Sequence, residues 1–231
     1  MINAIKSFNA CIADINHMRA FYTYLNTHCS IPKDDLTDLL RAELVNIVSA
    51  MDRFIHEMVR IGIINSFTGS STPTDKCKSM PLRFDTMQEV VNCISRGTPP
   101  TSIEETAEYW INKAVVTLLK TMSFQKIDKI KDALSYIWDE QHKIQALINK
   151  MRYSYPSTVI TINNKQKYIE NKIDLIVNRR NQIVHEADYD ISTHSKRTIE
   201  EGWLDDTISF IKEFVYSLYE NITNDTTYIR L

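Results

Sequence analysis

Only four glycines occur among the 231 residues. So few positions free to take left-handed backbone exclude glycine-rich phosphate-cradling loops and the many tight turns of an all-β design, and favour long helices. Cysteine is scarce as well: Cys11, Cys29, Cys77 and Cys93 never form a Cys-x-x-Cys pair. The opening Met1-Ile2-Asn3-Ala4-Ile5-Lys6 runs into a helical pattern rather than the apolar core of a cleavable leader, so reduced thiols in the cytoplasm are the expectation. No apolar run approaches the roughly 18 residues that a membrane span requires, and no membrane partner is expected. The formal net charge is only −2, which excludes a global basic field; any contact with nucleic acid must be local.

Metal and nucleophile signatures are missing too. His56-Glu57 has Arg60 where a His-Glu-x-x-His site needs its second histidine, and His17, His28, His142 and His194 show no ligand spacing. Neither a catalytic metal nor a cofactor is expected. Serine and cysteine nucleophiles have no supporting motif.

What is present is helical periodicity on a chain that is 43% hydrophobic, enough for one large domain or one domain with an insertion. Ile2, Ile5, Phe8, Ile12, Ile15, Met18, Phe21 and Leu25 recur every three or four residues. After Pro32, a second stripe runs from Leu36 and Leu40 through Ile55 to Val59, giving a helix to about Asn65; two long helices so close in sequence should pack antiparallel. Residues 66–81 read as an exposed loop and a candidate for mobility. A helix over about 84–95 stops at Gly97, and Ser102-Ile103-Glu104-Glu105 has the capping-box form that starts another, reaching about Met122. Two more helices follow with a bend near Trp138-Asp139, then a connection around Pro156, a helix over about 164–186, and a last one from Leu204 to about Asn221. The reading is an all-α antiparallel helical bundle forming one domain, with an inserted section of extra helices at about 82–156.

The segment richest in chemistry is Arg179-Arg180-Asn181-Gln182-Ile183-Val184-His185-Glu186-Ala187-Asp188. Histidine, with an ordinary pKa of about 6.5, can take a proton from a ribose hydroxyl or give one to a leaving oxygen. Arginine offers a planar fork of donors that matches phosphate and stabilises charge building on it. The pair suffices for attack of a 2′-OH on the adjacent phosphorus without a metal. Spacing alone carries little weight, since an Arg-x4–6-His match arises by chance about once in a chain of this composition.

The segment resembles the motif of HEPN domains: Arg180, Asn181 and His185 fill its arginine, polar and histidine slots. The stretch from Leu39 through Arg41 and Asp52 to Glu57 resembles an early helix of the RiboL-PSP branch of that superfamily, and the resemblance runs in order from about Leu36 to Ile222. It implies a helical bundle and a metal-independent endoribonuclease that leaves 2′,3′-cyclic phosphate ends. It also implies a homodimer in which two motif helices meet to build a composite site. A toxin or anti-phage defence effector acting on RNA such as tRNA or mRNA, with a possible cognate antitoxin or defence-system partner, is the implied setting.

On an ideal helix Asn181 and His185 share a face, whereas Arg180 lies about 140° from His185. Either the helix ends near His185 and lets it turn, or Arg180 curls round, or a second subunit supplies the missing group. Glu186 and Asp188 are candidates to orient His185, and Asp52 and Arg41 to orient or pair with the motif; exposed acids and a structural salt bridge are the competing readings. Arg179 and Lys172, in a basic cluster interrupted by Glu170 and Asp174, are candidate RNA contacts, set against a plain solvated helix face. Two other functions stay open: a non-catalytic RNA- or nucleotide-binding HEPN module, and a helical regulatory partner protein.

Overall fold

A computed structural model describes all 231 residues. The chain is all-α, with nine α-helices: α1 (Ile2–His28), α2 (Thr37–Phe67), α3 (Asp75–Lys78), α4 (Phe84–Ser95), α5 (Ala107–Leu119), α6 (Ile127–Leu134), α7 (Lys143–Lys150), α8 (Ile162–Glu186) and α9 (Glu201–Thr223). Its one sheet is a hairpin of two short antiparallel strands, β1 (Tyr189–Asp190) and β2 (Ser195–Lys196), with Tyr189 opposite Lys196. Two compact units are present. One comprises Met1, residues 55–124 and residues 128–141; the other comprises residues 2–54, 125–127 and 142–231. Helix α2 begins in the second of these and ends in the first.

The larger unit is an antiparallel bundle. Phe8 of α1 meets Phe54 of α2 and Tyr216 of α9 edge-on, with ring centroids 6.0 and 5.9 Å apart. At the far end of α1, Arg19 Nη2 donates to Glu43 of α2 at 2.7 Å, and Tyr22 donates to Glu201 at the start of α9. The expected antiparallel pairing of α1 with α2 follows from these contacts, and α9 runs antiparallel to α1. Helix α8 joins α9 through Lys172 and Asp206, while α7 packs on both. Most of the stripes read in the sequence form the core: Ile5, Phe8, Ile12, Leu40, Leu44, Ile47, Ile211 and Phe214 are buried, whereas Ile2 and Phe21 of the first stripe are exposed; Ile173 and Phe210, which the pattern did not single out, are buried as well. Each buried side chain contributes about 1.5–3 kcal/mol. Burial also pushes the Glu43 carboxyl above its ordinary range, against the pull of Arg19.

In the smaller unit, Gly62 of α2 marks a close approach, since a Cβ there would stand 2.3 Å from Ile137 Cγ2. Residues 66–81, expected as an exposed loop, are mostly exposed but fastened within: Thr74 is buried, its hydroxyl donating to the Ser135 carbonyl at 2.8 Å and accepting from the Cys77 amide as the cap of α3. The expected capping box at Ser102 is absent. Ser102 makes no cap bond, residues Ile103–Glu105 form a 3-10 turn, and Thr106 caps α5 through the Tyr109 amide at 3.2 Å. Glu105 instead accepts from the Thr101 amide at 2.6 Å, so its carboxylate closes the loop before the helix rather than the helix start.

Candidate functional site

Helix α8 starts cleanly because Thr161 accepts from the Asn164 amide at 3.2 Å. It stops because Ala187 and Asp188 both take left-handed backbone, φ 51° and 62°, with the Asp188 amide returning to the Gln182 carbonyl at 3.1 Å. His185 is thus still helical, in the last turn, and a helix end does not swing it toward Arg180. Its ring is exposed and no protein group takes its nitrogens. Arg180 is half-buried and donates through Nη1 to Asn181 Oδ1 at 3.0 Å. Because Asn181 shares a helix face with His185, that bond draws the guanidinium toward the histidine side, although the two Cα positions stand about 140° apart. Arg180 Nε is buried and has no acceptor, an unspent donor beside the motif.

The outward face of α8 below His185 is polar and open: Asn171, Asp174 and Asn178 are exposed, Asn181 is half-buried, and Leu175 beside them is exposed as well. A shallow cleft of about 470 Å³ lies on the other side of the helix, lined by Arg41, Val45, Asn46, Ile183 and Lys196. Lys196 bonds Asp38 at its edge and holds that carboxyl below its ordinary range. Ile183 is about 160° round the helix from His185, so cleft and histidine face opposite ways.

The acids beside the motif are engaged elsewhere. Asp188 is fully buried, accepting from Arg41 Nε at 2.5 Å and from Arg179 Nη2 at 2.8 Å. Arg41 Nη2 also donates to the Arg197 carbonyl at 2.6 Å, Arg179 Nη2 to that of Thr198 at 3.1 Å, and the Arg197 amide donates back to Asp188 at 2.9 Å. Glu186 pairs with Arg197 at 3.1 Å. Neither carboxylate orients His185, because the left-handed turn at Ala187 and Asp188 aims Asp188 inward at α2. Arg41 thus supports the motif segment through Asp188, whereas Asp52, half-buried and about 16 Å farther along α2, lies outside this cluster.

The candidate RNA contacts are similarly committed. Arg179 is spent on Asp188. Lys172 donates to Tyr153 Oη at 2.7 Å and pairs with Asp206, fastening the connection before α8. What sequence reasoning missed is the arginine-carboxylate-arginine clamp itself, whose members lie 147 and 9 positions apart and share no local pattern. No group of three or more His, Cys, Asp or Glu is placed to hold a metal ion.

The sequence model of the RiboL-PSP-HEPN family matches residues 9–224. The chain belongs to this family. No curated protein and no solved structure matches it. HEPN domains are commonly ribonucleases, typically bind RNA and often dimerise, so membership suggests a ribonuclease or nucleotide-binding role. No helix of this HEPN chain is long and apolar enough to cross a membrane.

Proposed function

We propose that this HEPN chain is an endoribonuclease that needs no metal, with His185 as proton-transfer group, Arg180 as phosphate-binding cation and Asn181 as the residue that holds the arginine in place. The observation that carries the reading is the Arg180–Asn181 bond on a helix whose last turn presents an unpartnered, solvent-facing His185. In the proposed reaction a ribose 2′-OH loses its proton to a neutral histidine and attacks the adjacent phosphorus. The P–O5′ bond breaks as a protonated histidine gives its proton to the leaving oxygen. The products are a 2′,3′-cyclic phosphate and a 5′-hydroxyl, and Arg180 offsets charge building on the phosphoryl oxygens.

One chain offers one such histidine. The open polar face of α8 leaves room for the same face of a second copy, which would supply the other histidine and make a composite site. The proposed substrate is cellular or invading RNA, tRNA or mRNA, and the proposed setting is a cytoplasmic toxin or anti-phage effector held in check by a cognate antitoxin or defence-system partner.

The test is incubation of total RNA and tRNA with wild type, Arg180→Ala and His185→Ala in EDTA, with the product ends mapped. Cutting by wild type alone that leaves cyclic phosphate ends supports the proposal. Equal silence from all three, with dimerisation confirmed, defeats it and points to a binding module.

A further inference from the structure

Helix α4 of the smaller unit is twelve residues long and has no buried residue. It packs on α5, toward which Thr86 and Glu89 turn to line a shared groove with Trp110 and Lys113. The opposite side carries Phe84, Met87, Val91 and Ile94, which are 81, 50, 58 and 70% exposed. These four fall within an arc of about 80°, so they form one stripe rather than scattered exposures. Single exposed apolar residues need no explanation, but neighbouring ones that join into a continuous patch often do, the largest patch on a monomer, about 300–600 Å², being often functional.

We propose that this stripe is a self-association surface, occupied by the α4 of a second copy lying antiparallel. The spacing of three, four and three residues is that of a and d positions, and it is symmetric about position 89. A two-fold contact requires that when residue i meets residue j, j also meets i. Laid antiparallel, Phe84 meets the second copy's Ile94 and Met87 meets its Val91, large against branched along the whole seam. Gln88, Val90 and Ser95, which flank the stripe, carry no charge that would repel an identical chain.

The helix dipoles choose the direction. Asp85 sits in the first turn and Arg96 at the C-cap, each already paired in its own chain with Arg83 and Glu105. Both turn toward the α5 side, Asp85 lining the groove there, so neither enters the seam, and antiparallel pairing opposes the helix dipoles. Parallel pairing would align the dipoles and break the match of Phe84 with Ile94 and of Met87 with Val91. The area is at the low end for specific interfaces, below about 1,200 Å², so the pair forms with rising concentration rather than permanently. It lies on a different compact unit from α8 and does not depend on the ribonuclease reading.

The test is the mass of the full chain by analytical ultracentrifugation from about 1 to 100 μM, a range chosen to bracket micromolar association. Wild type should gain mass with concentration, and Val91→Glu should show half the wild-type mass at the highest concentration. His185→Ala should match wild type. The halving holds whether α4 joins two single chains or two α8-linked dimers. Val91 is exposed, so its variant should keep the wild-type circular dichroism; Met87→Gln is a milder variant expected to move in the same direction. Mixing Met87→Cys with Val91→Cys chains should give a disulfide between the two variants that Met87→Cys alone does not give. A wild type that stays a single chain throughout, or a mass indifferent to Val91→Glu, overturns the proposal. Self-linking of Met87→Cys overturns the antiparallel arrangement.

Discussion

Asp188 and Arg41, 147 positions apart, meet as a buried carboxylate and a buried guanidinium, 2.5 Å from Oδ2 to Nε. Arg179 closes on the same carboxylate from the motif helix. Removing the carboxylate strands two guanidinium groups in a site where little water can replace it. Asp188→Ala should therefore cost about 3–5 kcal/mol, the range for breaking a buried pair by deleting one partner. Urea unfolding measures this; a midpoint within error of wild type would show that the clamp contributes nothing. Arg179→Ala should also lower stability, whereas a variant that weakens RNA binding without changing stability would assign Arg179 to the nucleic acid.

His185 has no partner within the chain, so stability and activity should separate there. His185→Ala should alter unfolding free energy by no more than about 0.5 kcal/mol, as for other surface positions. If His185 transfers the proton, the same variant should lose about 10²–10⁴-fold in cleavage rate. Single-turnover cleavage beside a thermal melt reads both. Parallel loss of fold and rate would make His185 structural.

Gly62 faces Ile137 too closely for any side chain. Alanine is favoured over glycine by about 1 kcal/mol inside a helix, so Gly62→Ala on an open face would stabilise. Here crowding should reverse the sign, with a net loss of about 1–3 kcal/mol. Shortening the neighbour in Gly62→Ala/Ile137→Ala should recover part of that loss. Simple additivity of the two single variants would exclude a clash between these residues.

Glu105 accepts from the Thr101 amide and pairs with Arg96, and these contacts lower its carboxyl to about 2. The folded value lies below the ordinary 4.5, so the stabilisation from this carboxylate is present above pH 4.5 and is lost as pH falls through 2. Carbon-detected NMR titration should place the Glu105 midpoint well under those of unpaired glutamates. In Glu105→Gln that part of the acid sensitivity should disappear.

Much of the fold was legible because helical burial has a local signature. The stripes through Leu40, Leu44 and Ile47 and through Ile211, Phe214 and Leu218 repeat every three to four residues, and they are core. The ends were less legible. Ser102 has a capping-box sequence, but Thr106 competes for the same role four residues later and wins the Tyr109 amide. At the site, the positions of Arg180, Asn181 and His185 on one helix could be read from spacing. The engagement of Asp188 with Arg41 could not, because it depends on a left-handed turn at two non-glycine residues and on a partner in a helix far upstream. A carboxylate looks the same in sequence whether it ends in an exposed ion pair, as Glu186 does with Arg197, or in a buried one, as at Asp188.

The clamp also sets a schedule. Arg41 leaves the ribosome early, the motif helix much later, and the Arg197 and Thr198 carbonyls that complete the guanidinium contacts later still. A nascent chain carrying His185 but not yet Arg197 therefore holds its histidine on an unsecured helix end. The residues offered for RNA chemistry gain their fixed placement only once Arg197 and Thr198 have been made.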